Sequence, residues 1–88
     1  MAVFHRNARI ESAPFDTESI LFNPDTKQFV KLNRANAIIW DRIGGGATTD
    51  EIAAALCDYF QGVQPEQAKQ DAGEALDEML RLGLVNQM

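Results

Sequence analysis

The sequence predicts an α+β chain in which three antiparallel strands precede three helices. Three observations carry that reading. The segment Phe22 to Trp40, FNPDTKQFVKLNRANAIIW, runs turn, strand and helix start together with almost no spacer. Apolar residues come in short blocks before Leu32, and they recur at helical spacing after Asn33.

The first strand is expected from about Arg9 to Phe15, where Ile10 and Ala13 sit among polar neighbours and Pro14 suits an edge strand or a strand end. The second, Ser19 to Asn23, carries Ile20, Leu21 and Phe22 in a row. Asn23-Pro24-Asp25-Thr26-Lys27 then predicts a type I turn, because Pro pre-sets φ at the first central position. The third strand, Gln28 to Leu32, completes the hairpin. Phe29 and Lys31 share one of its faces, while Gln28, Val30 and Leu32 share the other. A strand edge beside a helix is a place where another chain's strand can be added.

Asn33 can cap a helix opening at Arg34, since its side-chain oxygen accepts from the free amides of the first turn. That helix runs to Ile43 with Ile39, Trp40 and Ile43 as its apolar stripe, and Gly44 supplies the stop. Trp40 is expected to anchor it on the sheet, and Gly44-Gly45-Gly46 to form a flexible connection. The second helix opens at Thr48, which has the spacing of a capping box with Glu51, and carries Ile52, Leu56, Tyr59 and Phe60 on one side. Pro65 suits the first position of the third helix, which ends before Gly83, with Leu84 and Val85 folding back on the core.

The third helix carries two adjacent stripes: Ala68, Ala72, Ala75 and Met79, and beside them Lys69, Gly73, Leu76 and Leu80. Together they are wider than one packing face requires. Gly73 in mid-helix costs about 1 kcal/mol relative to Ala, which invites a reason such as close approach of another backbone. Tight packing of a small helix and a groove wall both fit this pattern.

With 88 residues the chain is read as one domain over residues 1–88, with an ordered core from about 9 to 85. A chain this short buries only about 60% of its unfolded surface. No run approaches the roughly 18 apolar residues of a membrane span, and MAVFHRNARIES lacks the apolar region of a secretory signal. A cytoplasmic setting is the expectation. Cys57 is the single cysteine and His5 the single histidine, so neither a disulfide nor a multi-cysteine metal site can form within the chain. Cys57 is expected as a semi-buried helix thiol and His5 in a frayed N-terminal segment. No paired nucleophile and base stands out, and the Gly44–Gly46 run lacks the Lys-Ser/Thr of a phosphate loop. The reading therefore includes no catalytic residue, cofactor or metal.

Charge narrows the partners. Residues 1–47 carry six Lys/Arg against five Asp/Glu, a balance of +1, and residues 48–88 carry two against eight, a balance of −6. Nucleic-acid binding depends on neutralising phosphates with cations, so a chain of net charge −5 is poorly suited to it.

The order of strands and helices, Leu32-Asn33 followed by Ile39-Trp40, the Thr48-x-x-Glu51-Ile52 helix start, Asp71 through Leu76, and Leu82-Gly83-Leu84-Val85 together resemble the PqqD-like leader-peptide recognition domains, also called RiPP recognition elements. The resemblance covers about residues 9 to 85. It implies a winged helix-turn-helix that binds no DNA and takes the leader of a precursor peptide as an added strand along the third strand, in a cleft completed by the third helix. By position, Gln28 to Leu32 (Gln28, Phe29, Val30, Lys31, Leu32) would supply backbone pairing, and Lys69, Gly73, Leu76 and Leu80 would line the opposite wall. The implied partners are the precursor peptide and a modifying enzyme such as a radical SAM enzyme or a lasso-peptide protease, with the chain a monomer or weak homodimer.

The sequence also departs from the family. The family's hairpin often carries a Gly where this chain has Lys27, and larger apolar residues where it has Ala72 and Ala75. The N-terminal part differs from the pyrroloquinoline quinone proteins, which favours a stand-alone relative serving another peptide pathway. Lys27 and Lys31 admit two compatible readings, protection of the strand edge and attraction of an acidic leader. A second function class is a winged-helix docking or dimerisation module without peptide binding. A small enzyme is the least supported class.

Overall fold

The chain runs β1 (Phe4–Arg6), β2 (Glu11–Phe15), β3 (Glu18–Asn23), β4 (Gln28–Leu32), α1 (Arg34–Arg42), a 3₁₀ turn (Ile43–Gly45), α2 (Thr49–Tyr59), α3 (Pro65–Arg81) and β5 (Val85–Gln87). These elements come from a computed structural model that describes residues 2–15 and 18–87. The α+β arrangement is the expected one, a three-stranded antiparallel sheet in the order β2-β3-β4 followed by three helices.

Register decides the two faces of that sheet. Leu21 pairs with Val30 and Ser19 with Leu32, and this inner row packs on the helices, with Leu21 and Leu32 fully buried. Phe22 pairs with Phe29 and Ile20 with Lys31 on the outer row. The turn differs from the expected type I. The Lys27 amide donates to the Asn23 carbonyl at 2.7 Å, one residue further along than such a turn closes. Asn23 Oδ1 accepts from the Asp25 amide at 3.0 Å, and Lys27 takes φ +58° to enter β4. Lys27 thus holds the left-handed conformation in which Gly meets no Cβ penalty.

The helix boundaries follow local chemistry. Asn33 Oδ1 accepts from the Asn36 amide at 2.8 Å. Thr48 and Glu51 form both bonds of the capping box, at 3.2 Å and 3.0 Å. Pro65 opens α3, where its missing N–H costs nothing. At the other end Gly83 adopts φ +74°, its amide meets the Leu80 carbonyl at 3.1 Å, and the Leu84 amide meets the Met79 carbonyl at 2.9 Å. This reversal turns the chain back, and Leu84 and Val85 join the core.

The structure corrects three expectations. The N-terminus is not frayed: β1 pairs antiparallel with β5, Phe4 bridges Ala47, and Phe4 is buried, so the core extends beyond residues 9–85. The glycine run is not a loose connection, because β1 packs on it. A Cβ at Gly46 would lie 2.6 Å from the His5 ring, and one at Gly44 3.2 Å from the Arg6 guanidinium. Tyr59 lies 62% exposed rather than in the α2 stripe, since the last residue of α2 faces an outer hollow shared with Ile38 and Ala55.

Candidate functional site

Strand β4 ends the three-stranded sheet, so among the described residues it is hydrogen-bonded to a strand on one side only. In an antiparallel ladder half of an edge strand's N–H and C=O groups point away from its neighbour, and β4 presents that row at the sheet margin. Lys27 stands at the entrance to the strand and Gln28, Phe29 and Lys31 are exposed along it, while Val30 is half-buried and the Leu32 side chain belongs to the core.

Immediately beyond β4, the first turns of α1 open onto a hollow of about 180 Å³. Its walls come from Ala35, Asn36 and Ile39 of α1, Phe60 and Val63 after α2, and Asp71 and Ala75 of α3. Small-molecule sites run from roughly 300 to 1,000 Å³, so this hollow fits one or two side chains rather than a cofactor. It is mostly apolar, with polar groups at its margin. Asp71 Oδ1 accepts from Gln67 Nε2 at 2.8 Å, and the Arg34 guanidinium lies 5.7 Å from the centre of the Phe60 ring. The stretch from Thr26 to Trp40 carries Lys27, Lys31 and Arg34 and no acid, while Asp71 of α3 stands at the margin of the hollow.

The two helix-three stripes of the sequence reading divide differently in space. Ala68, Ala72, Leu76 and Met79 form the buried row, and Leu76 is 1% exposed, so its side chain fills the core instead of lining a cleft. Lys69 Nζ lies 3.2 Å from Asp50 of α2 and borders a different hollow, with Ala53, Ala54 and Cys57. Two residues along a helix turn it by about 200°, which puts Lys69 and Gly73 on the flank opposite Asp71 and Ala75. Leu80 is half-buried against the core. No close backbone explains Gly73, because a Cβ there would meet nothing within 4 Å. The structure therefore gathers Asp71 and Ala75 with Ala35, Asn36 and Ile39 of α1, the helix that follows β4, and does not gather Lys69, Gly73, Leu76 and Leu80 into one wall. Asp71 and Ala75 carried a usable signal, an acid and a small residue four apart on one flank of α3.

The family model described as coenzyme PQQ synthesis protein D matches residues 18–85, from the start of β3 to the start of β5. The chain belongs to the PqqD family. Strands β1 and β2 of this PqqD-family protein lie outside the match. Two solved structures share its fold. One is TbiB1 in complex with the TbiA(beta) leader peptide, with a TM-score of 0.84, 22% identity, and coverage of 93% of this chain and 94% of that one. The other is a lasso peptide synthetase B1 complexed with the leader peptide, with a TM-score of 0.83, 20% identity, and coverage of 94% and 96%. No curated protein matches the sequence. Among the described residues no helix is long and apolar enough to cross a membrane.

Proposed function

We propose that this chain is a non-catalytic adaptor that captures the leader of a ribosomally made precursor peptide by strand addition along β4 and presents it to a modifying enzyme. The observation that carries the reading is the juxtaposition of an edge strand with a side-chain-sized apolar hollow at its end. Main-chain bonds to the open margin of Gln28 to Leu32 supply affinity that any sequence can use, and the hollow supplies selection. Asp71 and Ala75 form the α3 wall of the site. The reading is supported by family membership and by the two structures of like fold, each of which holds a leader peptide.

The adaptor assigns no chemical step to its own side chains. His5 sits on β1, and Cys57 on α2 donates to the Val63 carbonyl at 3.9 Å, so each has a packing role. The partner enzyme is of the radical SAM or lasso-peptide protease kind, and the setting is the cytoplasm.

The test is titration of a leader from a precursor encoded beside this gene into isotope-labelled protein, following backbone amides. Shifts at Gln28 to Leu32, at Ala35 and Asn36, and at Asp71 and Ala75 are expected. Binding that leaves β4 unshifted, or no binding by any neighbouring precursor, would favour a protein-docking module instead.

A further inference from the structure

Phe29 is 73% exposed, more than any other large apolar side chain among the described residues. It stands on the outer row of β4 opposite Phe22, with the ring centres 4.7 Å apart. With Ala13 and Ile20 the two rings floor a shallow hollow on the face of the sheet turned away from the buried Leu21 and Leu32. Phe22 has a cross-strand neighbour on each side, Glu11 and Phe29. Among the described residues Phe29 has one on the β3 side only, because β4 ends the sheet.

An exposed aromatic beside an open strand edge is a liability in a free protein, since it favours indiscriminate pairing. One more strand along β4 removes it. Residues directly opposite in adjacent strands stand roughly 4.5–5.5 Å apart on the same face, so the residue paired with Phe29 would cover the bare side of its ring.

We propose that Phe29 is a specificity-determining residue of the strand-addition site, reading an aromatic or β-branched side chain of the bound peptide on the outer face of the sheet. This rests on the strand-addition reading above. The peptide is then read on both faces: the residue beside Phe29 points outward, and its neighbours point inward on the side of Val30 and the hollow beside α1. Side chains alternate along a strand, so the outward and inward anchors lie at odd separations in the peptide sequence.

The experiment selects a phage-displayed library of random peptides against the chain, against Phe29→Thr, and against Tyr59→Ser as a control at the other exposed aromatic. Phe29 is mostly in solvent and Thr keeps the strand preference, so Phe29→Thr is expected to melt within a few degrees of the parent. Peptides that shift the β4 amides should carry an aromatic or β-branched residue an odd number of positions from a second apolar one. Phe29→Thr should bind them about fivefold more weakly and lose the first preference while keeping the second. Tyr59→Ser should bind as the parent does. Equal affinity and unchanged preference in Phe29→Thr would overturn the inference and leave strand addition standing. If no selected peptide shifts the β4 amides, strand addition itself fails and the inference with it.

Discussion

The side-chain amide of Asn23 donates to the carbonyl of Leu82 at 3.2 Å, fastening the hairpin turn to the end of α3 across a sequence separation of 59. Asn23 is 3% exposed and its oxygen also accepts from the Asp25 amide, so one buried side chain serves both the turn and the helix end. Asn23→Ala leaves the Leu82 carbonyl without this donor and the Asp25 amide without this acceptor. A loss of about 1–3 kcal/mol is expected, read as a lower urea midpoint with an unchanged m-value.

Lys27 holds φ +58° where Gly would meet no Cβ penalty. Lys27→Gly relieves that strain and offsets it in part by loosening the unfolded chain. A net gain of about 0.5–1 kcal/mol is expected, measured by urea denaturation. A loss would mean that the Lys27 side chain stabilises the turn more than its backbone strains it.

Arg6 joins β1 to the end of α1. Its Nε donates to the Trp40 carbonyl at 2.8 Å, and its guanidinium lies 4.8 Å from the centre of the Trp40 ring. Arg6→Met keeps most of the stem and removes both contacts. The expected cost is about 1–2 kcal/mol, accompanied by a change in Trp40 emission.

The two flanks of α3 separate by mutation. Ala75→Trp would fill the hollow beside α1, where Ala75 is half-buried, and is expected to weaken leader binding by more than about tenfold, as one obstructed anchor accounts for roughly 1.4 kcal/mol or more. Lys69→Ala, on the α2 flank, should leave affinity unchanged. Calorimetric titration of both variants with the same leader checks this, and a melting curve shows whether Ala75→Trp has kept its fold. The reverse ranking would move the site to the Lys69 flank.

Acid should weaken the fold in part through Glu51. The backbone N–H of Thr48 holds its carboxyl below the usual 4.5, helped by the Thr48 side chain and by Arg42. A depressed folded value means the carboxylate stabilises fully above about pH 4.5 and loses that contribution as pH falls through the folded value. Glu78 behaves alike, held low by Arg81. Both groups are on the surface, so salt should blunt the effect. Glu51→Gln keeps an acceptor for the capping box but no ionisation. Its stability should lie somewhat below the parent near neutral pH and converge with it in acid, so that it falls less steeply, and an unchanged slope in the pH series would count against this cause.

The hairpin, the caps at Asn33 and Thr48, the Pro65 start and the Gly83 reversal were all legible because each is settled within a few residues, by one side chain bonding a nearby amide or by one residue's allowed φ. The inner and outer rows of β4 were legible for the same reason, since alternation is local.

The sequence by itself determined the order and kind of the main elements and which strand stands at the edge of the sheet beside a helix. Tertiary structure alone decided that Phe4 to Arg6 is a strand, that Leu76 is core, that Asp71 and Ala75 rather than Lys69 and Gly73 line the hollow beside α1, and that Phe29 stays bare. The physical reason is range. A three-residue strand has too few side chains to show a period, and it forms because Val85 to Gln87 returns to pair with it and Ala47 bridges Phe4. A helix likewise announces its apolar stripe from spacing alone, whereas which flank of that stripe faces a given neighbour depends on how α2 and α3 pack, a relation between residues far apart in the chain.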